Sequence, residues 1–289
     1  MTLWQLTEWI EQNLHQPLPL SVLAEKIGCS TRQLGNQFRE AFGDTPAAYI
    51  WKRRLTLAST LLRFTRRSIT EIALMYQFSH LSSFARAFKH QFGLAPQAYR
   101  LADNWDMALF YPSVTVTNFT CHTDIIYIPE NIYILPQNNR KQEMHFGLDY
   151  IINTEKGKII SDRQIHQRMI ELIFRKTTIY PMVVYGTVFP GKECDTELDI
   201  VLGTLSPVGD KNQRVYIPAG NYACFTFKGS PMNIMQFHSW AKGHGMHIHH
   251  LVMKKGPTFS IFDKTLCENV YKTEYYIPCQ VGETMSARP

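Results

Sequence analysis

The sequence predicts two unlike domains in succession, an all-α domain and then an α+β domain, and three observations carry that expectation. An internal repeat at helical spacing fills residues 1–100, the whole formal charge of +6 lies there, and beyond residue 113 the apolar pattern turns strand-like.

The repeat comes first. Cys29–Ile50 and Phe78–Arg100 superimpose at an offset of fifty, so that Leu34, Phe38 and Phe42 fall on Phe84, Phe88 and Phe92, and Gly43, Pro46, Ala48 and Tyr49 on Gly93, Pro96, Ala98 and Tyr99. Apolar residues at every fourth position put three large side chains on one helix face, and Gly followed by Pro marks the helix end. A shorter stripe precedes each copy: Leu20, Leu23, Ala24 and Ile27, then Ile69, Ile72, Ala73 and Tyr76. Gly28 supplies a tight turn, Ser30 with Gln33 fits a capping box, and Ser79 offers the same cap in the second copy. Two helix-turn-helix units are the predicted outcome.

Charge then favours a partner. Residues 1–100 hold twelve basic and six acidic side chains, and residues 101–289 hold eighteen of each. Between the repeats, Lys52, Arg53, Arg54, Arg63, Arg66 and Arg67 run without an acid through a segment whose Ile50, Leu55, Leu57, Leu61 and Leu62 predict a long connecting helix. Basic residues flanking two such units match the phosphates of double-stranded DNA. With Leu34 and Phe38 inward, Thr31, Arg32, Gly35, Asn36 and Arg39 form the outward face of the first recognition helix. Leu81, Ser82, Ala85, Arg86 and Lys89 form the second, and Arg53 of the connector joins them as a DNA-binding candidate. Arg32 and Arg86 suit guanine and Asn36 suits adenine, whereas Arg39 and Lys89, further along, suit phosphate. A stiff connector holding the two helices about 34 Å apart lets a monomer read successive major grooves.

The stretch FSHLSSFARAFKHQFGLAPQAYR resembles the signature of the AraC/XylS family of transcription regulators. Phe78, Ser79, Ser82, Phe84, Arg86, Phe88, Lys89, Phe92, Gly93, Pro96, Tyr99 and Arg100 occupy its characteristic places. The resemblance spans about residues 3–101 and implies seven helices, the two units being bridged by the segment Ala48–Phe64. It also implies a sequence-specific regulator, an activator working with RNA polymerase. Asn36 stands where the family usually has Arg, and one branch has a large aromatic where Arg32 stands and Gln-rich chemistry where Leu81 and Ser82 stand, so the resemblance implies DNA binding but leaves the operator sequence open.

Leu101–Ser113 loses both the helical stripe and the basic excess and reads as a linker. The expected boundaries are a DNA-binding domain over 1–103, a linker over 104–113 and a second domain over 114–289. Strand-like runs begin at Val114, Ile125, Met182, Tyr222, Phe259 and Thr273, with helices over Ser161–Lys176 and from Ser230, where Pro231 sits in the first turn. Ile-Pro pairs at 128–129, 217–218 and 277–278 point to a duplicated strand-helix-strand-strand pattern. VYIPAGNYACFTFKG, then Trp240, KGPTFSIFD and TEYYIP, resemble the gyrase-inhibitor-like effector-binding domain. That resemblance implies a pocket for a small amphipathic or cationic ligand, lined by Tyr222, Phe225, Trp240, Phe259 and Tyr276 and by the carboxylate of Glu274. Alternation alone leaves the face of Glu274 open.

His244, His247, His249 and His250 in HGMHIHH, with His238 nearby, are the one candidate for zinc, copper or nickel, but no Cys or carboxylate is spaced to complete a site, so neither metal nor cofactor is expected. No apolar run reaches the ~18 residues of a membrane span, Met1 is followed directly by an amphipathic helix, and the six cysteines form no CxxC pair. A cytoplasmic, nucleoid-associated protein is the expectation. Two other classes compete: a sequence-tolerant architectural DNA binder, and a small-molecule hydrolase with Glu274 as base and Tyr222 as orienter. No GxSxG nucleophile motif occurs, and the expectation is that the protein is not an enzyme.

Overall fold

A computed structural model describes residues 1–116, 118–137, 142–146, 170–175, 179–191, 195–206 and 215–280. The chain divides into two compact units, the first made of Met1–Leu101 and Leu109–Thr117, the second of Ala102–Ala108 and Asn118–Pro289.

The first unit is helical: α1 (Leu3–Gln12), α2 (Leu20–Ile27), α3 (Thr31–Phe42), α4 (Pro46–Phe64), α5 (Ile69–Met75), α6 (Leu81–Phe92) and α7 (Pro96–Leu101). Local chemistry sets the boundaries. Ser30 Oγ accepts from the Gln33 amide at 3.2 Å while the Gln33 side chain accepts from the Ser30 amide at 3.0 Å, a full capping box for α3. Gly28, Gly43 and Gly93 close α2, α3 and α6 in the left-handed conformation that glycine adopts without penalty. Ser79 does not cap α6 as expected. Gln77 takes the left-handed turn at φ 66°, one residue more then intervenes than in the first copy, and the cap position falls to His80, whose side chain makes no capping bond.

The repeat is visible in the packing. Phe38 meets Tyr49 at 5.4 Å between ring centroids, and Phe88 meets Tyr99, fifty residues on, at 5.2 Å. All four rings are buried, together with Leu6, Ile10, Leu23 and Leu34 in one half and Ile72 and Phe84 in the other. Each such side chain contributes about 1.5–3 kcal/mol by leaving water. Helix α4 supplies the shared wall, with Ile50, Leu57, Ala58 and Leu61 buried.

Two charges sit inside this wall. Arg53 and Glu11 are both 0 % exposed, joined by Arg53 Nε to Glu11 Oε1 at 2.8 Å and Nη2 to Oε2 at 3.1 Å. The Tyr49 hydroxyl also donates to Glu11 Oε1, at 2.7 Å, and burial beside that carboxylate raises its pKa well above the usual tyrosine range. Residues Leu109–Thr117 return to this unit, so the expected linker 104–113 is not a free tether. Its first part forms β1 (Asn104–Asp106), paired antiparallel with Val252–Lys254, and its last part packs on α4. Backbone groups that the sequence left unassigned are hydrogen-bonded in both places.

The second unit is built on an antiparallel sheet. After β1 come β2 (His122–Ile128), β3 (Ile132–Pro136), β4 (Gln142–Phe146), β5 (Met182–Pro190), β6 (Thr196–Ser206), β7 (Tyr216–Ile217), β8 (Gly220–Gly229), β9 (Val252–Lys254), β10 (Thr258–Lys264) and β11 (Tyr271–Gln280). Neighbours run β1-β9-β11-β10-β5-β6-β3-β7, with β8 also on β11, β2 on β8 and β4 on β6. Helix α8 (Pro231–Trp240) begins with Ser230 accepting from the Asn233 amide. Among the described residues of the run expected from Val114 no strand forms, and residues 114–116 make a turn; the strand expected from Ile125 begins three residues earlier, at His122. Of the helix expected over Ser161–Lys176, residues 161–169 and 176 lie outside the described residues, while Glu171–Arg175 make a π-helical turn.

One sheet face packs beneath α8, where Ile234, Met235, Phe262, Met182, Ile173 and Phe174 form a core. The other carries Tyr222, Phe259, Val183, Val201, Ile128, Ile134 and Ile217.

Candidate nucleic-acid interface

The first candidate recognition face lies on α3. Leu34 and Phe38 are fully buried, and Thr31, Arg32, Asn36 and Arg39 are exposed on the remaining surface. Gly35 is half-buried, and a Cβ added there would meet nothing within 4 Å. A mid-helix glycine costs about 1 kcal/mol relative to alanine. Nothing inside the protein requires it, so the room it leaves faces outward. Glu40, exposed one turn after Asn36, escaped the sequence reading; it brings an acid to a face otherwise polar or basic.

The second face is α6. Phe84, Phe88 and Phe92 point inward, and Leu81, Ser82, Arg86 and Lys89 are exposed, with Ala85 half-buried between them. Leu81 opens the helix at 46 % exposure, an apolar group where the first unit has Thr31. The repeat therefore yields two similar scaffolds carrying different outward chemistry.

Arg53 does not belong to either face. Its guanidinium is enclosed and spent on Glu11 and on the Tyr111 carbonyl, 2.6 Å from Nη1, so it cannot reach a phosphate. Most of the basic run serves the fold in the same way. Lys52 pairs with Asp44 at 2.8 Å, Arg54 donates to the carbonyls of Leu14 and Gln16, and Arg63 is buried against the Phe64 ring. Arg100 likewise donates to the Leu62 and Arg67 carbonyls.

In the second unit the six expected ligand residues part company. Tyr222, Phe259, Tyr276 and Glu274 share one sheet face: Phe259 stacks on Tyr276 at 4.3 Å, Tyr222 meets Phe259 edge-on at 5.4 Å, and the Tyr276 hydroxyl donates to Glu274 Oε2 at 2.9 Å. Phe225 and Trp240 lie on the opposite side, with Phe237 and α8, and cannot line the same pocket. Strand alternation explains the split, because Phe225 is an odd number of residues from Tyr222. Lys272, which the sequence reading missed, donates to Glu274 Oε1 at 2.6 Å. That ammonium and the Tyr276 hydroxyl hold the Glu274 carboxyl below its ordinary pKa.

The histidines stay close, the His247 and His250 rings 6.3 Å apart, but take different partners. His247 Nδ1 lies 2.9 Å from the Met107 carbonyl, His249 packs near Phe225 and His244 near Trp240. Among the described residues no group of three His, Cys, Asp or Glu converges on a metal position.

Residues 23–102 match the helix-turn-helix domain family. The Transposon Tn10 TetD protein of Escherichia coli is 43 % identical over 99 residues, covering 34 % of this chain and 72 % of TetD. The HTH-type transcriptional activator AarP of Providencia stuartii is 37 % identical over 112 residues, 38 % of this chain and 83 % of AarP. The chain belongs to the AraC/XylS family of DNA-binding transcription regulators. A third relative extends into both units: the Transcriptional regulator Rob of Salmonella typhimurium is 29 % identical over 259 residues, 86 % of this chain and 85 % of Rob. In this AraC/XylS protein the matched segment begins within α2 and runs through α7, whereas Tyr111 and its neighbours fall just beyond it. Among the described residues no helix is long and apolar enough to cross a membrane.

Proposed function

We propose that the protein is a sequence-specific regulator of the activating kind that binds DNA as a monomer, laying α3 and α6 into successive major grooves, and that a small ligand in the second unit modulates it. The observation that carries the reading is the pair of recognition helices with matched buried faces and different exposed ones. Their alignment on one scaffold suits an asymmetric site of two unlike halves. Arg32 and Asn36 supply hydrogen-bonding readout in the first half, and Arg86 in the second, while Leu81 offers an apolar contact to a thymine methyl. The name of AarP supports activation, which makes RNA polymerase a partner. A bacterial cytoplasm, at the nucleoid, is the setting that fits.

The deciding measurement is affinity for a duplex selected from a random pool, read against salt. Arg86→Ala should weaken the selected duplex about 10- to 100-fold and relax preference at one base pair. Lys89→Ala should weaken all sequences alike and reduce the slope of log affinity on log salt by about 0.9. Equal affinity for selected and competitor DNA would instead favour an architectural binder.

For the second unit, the aromatic face of Tyr222, Phe259 and Tyr276 with Glu274 at its edge fits an amphipathic cation that takes the place of the Lys272 ammonium on the carboxylate. Glu274→Gln is expected to weaken an amphipathic cation by about tenfold while sparing a neutral analogue of the same shape. Calorimetry of the two probes on both proteins checks it, and equal cation affinities would remove the carboxylate from the site.

A further inference from the structure

Tyr111 lies outside every helix yet ties three of them together. Its amide donates to Thr56 Oγ1 of α4 at 3.1 Å, and its carbonyl accepts from Arg53 Nη1 at 2.6 Å. Its hydroxyl donates to Asp44 Oδ2, in the turn that follows α3, at 2.6 Å, and its ring lies 4.8 Å from the Lys52 ammonium, which also pairs with Asp44. Thr56 Oγ1 accepts a second hydrogen bond, from Gln91 Nε2 in the last turn of α6, at 3.2 Å. Two residues further on, Ser113 Oγ lies 3.4 Å from the Tyr49 hydroxyl, and the Val114 amide donates to that hydroxyl at 3.4 Å. One short segment thus holds the end of the first recognition helix, the connector and, through a shared hydroxyl, the second recognition helix.

This arrangement bears on geometry as well as on stability. The buried face of α6 is fixed by Phe84, Phe88 and Phe92, but rings alone leave a helix free to pivot. Gln91 is the polar tie near its C-terminal end. At 1.5 Å per residue, the first turn of α6 lies roughly 15 Å away, and a tilt of about 10° centred on Gln91 carries it ~2.5 Å, several times the misplacement a recognition site tolerates.

We propose that residues Phe110–Val114 are a spacing clamp, with Tyr111 the positioning residue, setting the separation of half-sites that the two recognition helices accept. This rests on the two-groove reading above. It assigns to the segment after the family's matched domain a share in DNA specificity, although none of its residues need touch DNA.

The test uses the full chain and a duplex that the wild type selects from a random pool, together with derivatives carrying one base pair more or less between the half-sites, and each half-site alone. Thr56→Val removes the shared acceptor, and Tyr111→Phe removes only the bond to Asp44. Thr56→Val should lower affinity for the selected duplex by about tenfold and lower the preference over re-spaced duplexes by a similar factor, with half-site binding unchanged. Tyr111→Phe should shift the same ratio by about threefold, and it decides the matter should Thr56→Val fail to fold. Loss of thermal stability with an unchanged preference between spacings would overturn the clamp and leave the two-groove reading standing. A pool that yields no enriched sequence would overturn both.

Discussion

Arg53→Ala is expected to destabilise the first unit by about 3–5 kcal/mol without changing how steeply DNA affinity depends on salt. The first half of that expectation follows from burial. Glu11 is 0 % exposed and its two carboxylate oxygens are held by Arg53 Nε and Nη2, so truncation takes the guanidinium away from a charge that water cannot reach. The Tyr111 carbonyl loses its donor at the same time. The second half follows from where Arg53 is not: a side chain enclosed by α1, α4 and the returning segment neutralises no phosphate and releases no counterion. Denaturant unfolding of the wild type, Arg53→Ala and the double variant Arg53→Met with Glu11→Leu checks the stability. The double variant should recover part of the loss, because it no longer strands a buried carboxylate, while the Tyr49 hydroxyl and the Tyr111 carbonyl still lack the partners that Glu11 and Arg53 supplied. Salt titration under folding conditions checks the rest, and a slope reduced by about 0.9 would mean that Arg53 does reach a phosphate.

Arg53 also marks a boundary of what the residues disclosed. Its charge looks like that of Lys52 or Arg66, and a count of basic residues cannot see an acid forty-two positions earlier. Yet a signal was present. Arg53 lies three residues after Ile50, four after Tyr49 and four before Leu57, which places it on the buried stripe of α4 rather than on its outer face. Glu11 stands four residues after Thr7 and next to Ile10, on the buried side of α1. Two opposite charges on two apolar stripes describe an internal pair, and periodicity had to be read for charged residues as well as for apolar ones.

The helical unit was legible because it is written twice: equal spacings in two copies force equal packing, as Phe38–Tyr49 and Phe88–Tyr99 do. The second unit offered no such check. Its strand β6 alternates Glu197 and Asp199 on one face with Leu198, Ile200 and Leu202 on the other, a period of two that was available but interrupted by the buried Val201 and by Gly203. That glycine is required, since a Cβ there would lie 2.2 Å from the Leu135 carbonyl oxygen of the neighbouring strand. In β8 the same parity separates Tyr222 from Phe225, so resemblance to a ligand-binding domain grouped residues that the pleat divides. Pairings between distant strands such as β1 and β9 carry almost no local signal, and they turned an expected linker into an edge of the sheet.

The second unit should lose stability in mild acid, and His238 is the cause expected to act first. Its imidazole stacks on Tyr275 at 4.2 Å and leans on Phe262 and Phe237, with Nε2 3.3 Å from both Thr273 Oγ1 and Ser260 Oγ. Burial, with the Lys242 ammonium adding to it, pushes its pKa from 6.5 down to about 3. Above pH 6.5 the imidazole is neutral whether the chain is folded or not, and it adds no pH dependence. Below that value the unfolded chain takes up a proton that the folded one refuses, so stability falls as pH falls, by about 1.4 kcal/mol per unit, until the folded group itself titrates near pH 3. Between pH 6.5 and 5 the loss amounts to roughly 2 kcal/mol, before most carboxylates begin to protonate. Denaturation midpoints over that interval, for the wild type and His238→Gln, isolate the effect, since glutamine keeps a polar group near the two hydroxyls but binds no proton. The variant should decline less steeply than the wild type, the remaining slope coming from His244 and His249, whose pKa values burial also lowers; parallel declines would mean that the imidazole accepts its proton in place and that the ring is more open to water than its stack on Tyr275 implies.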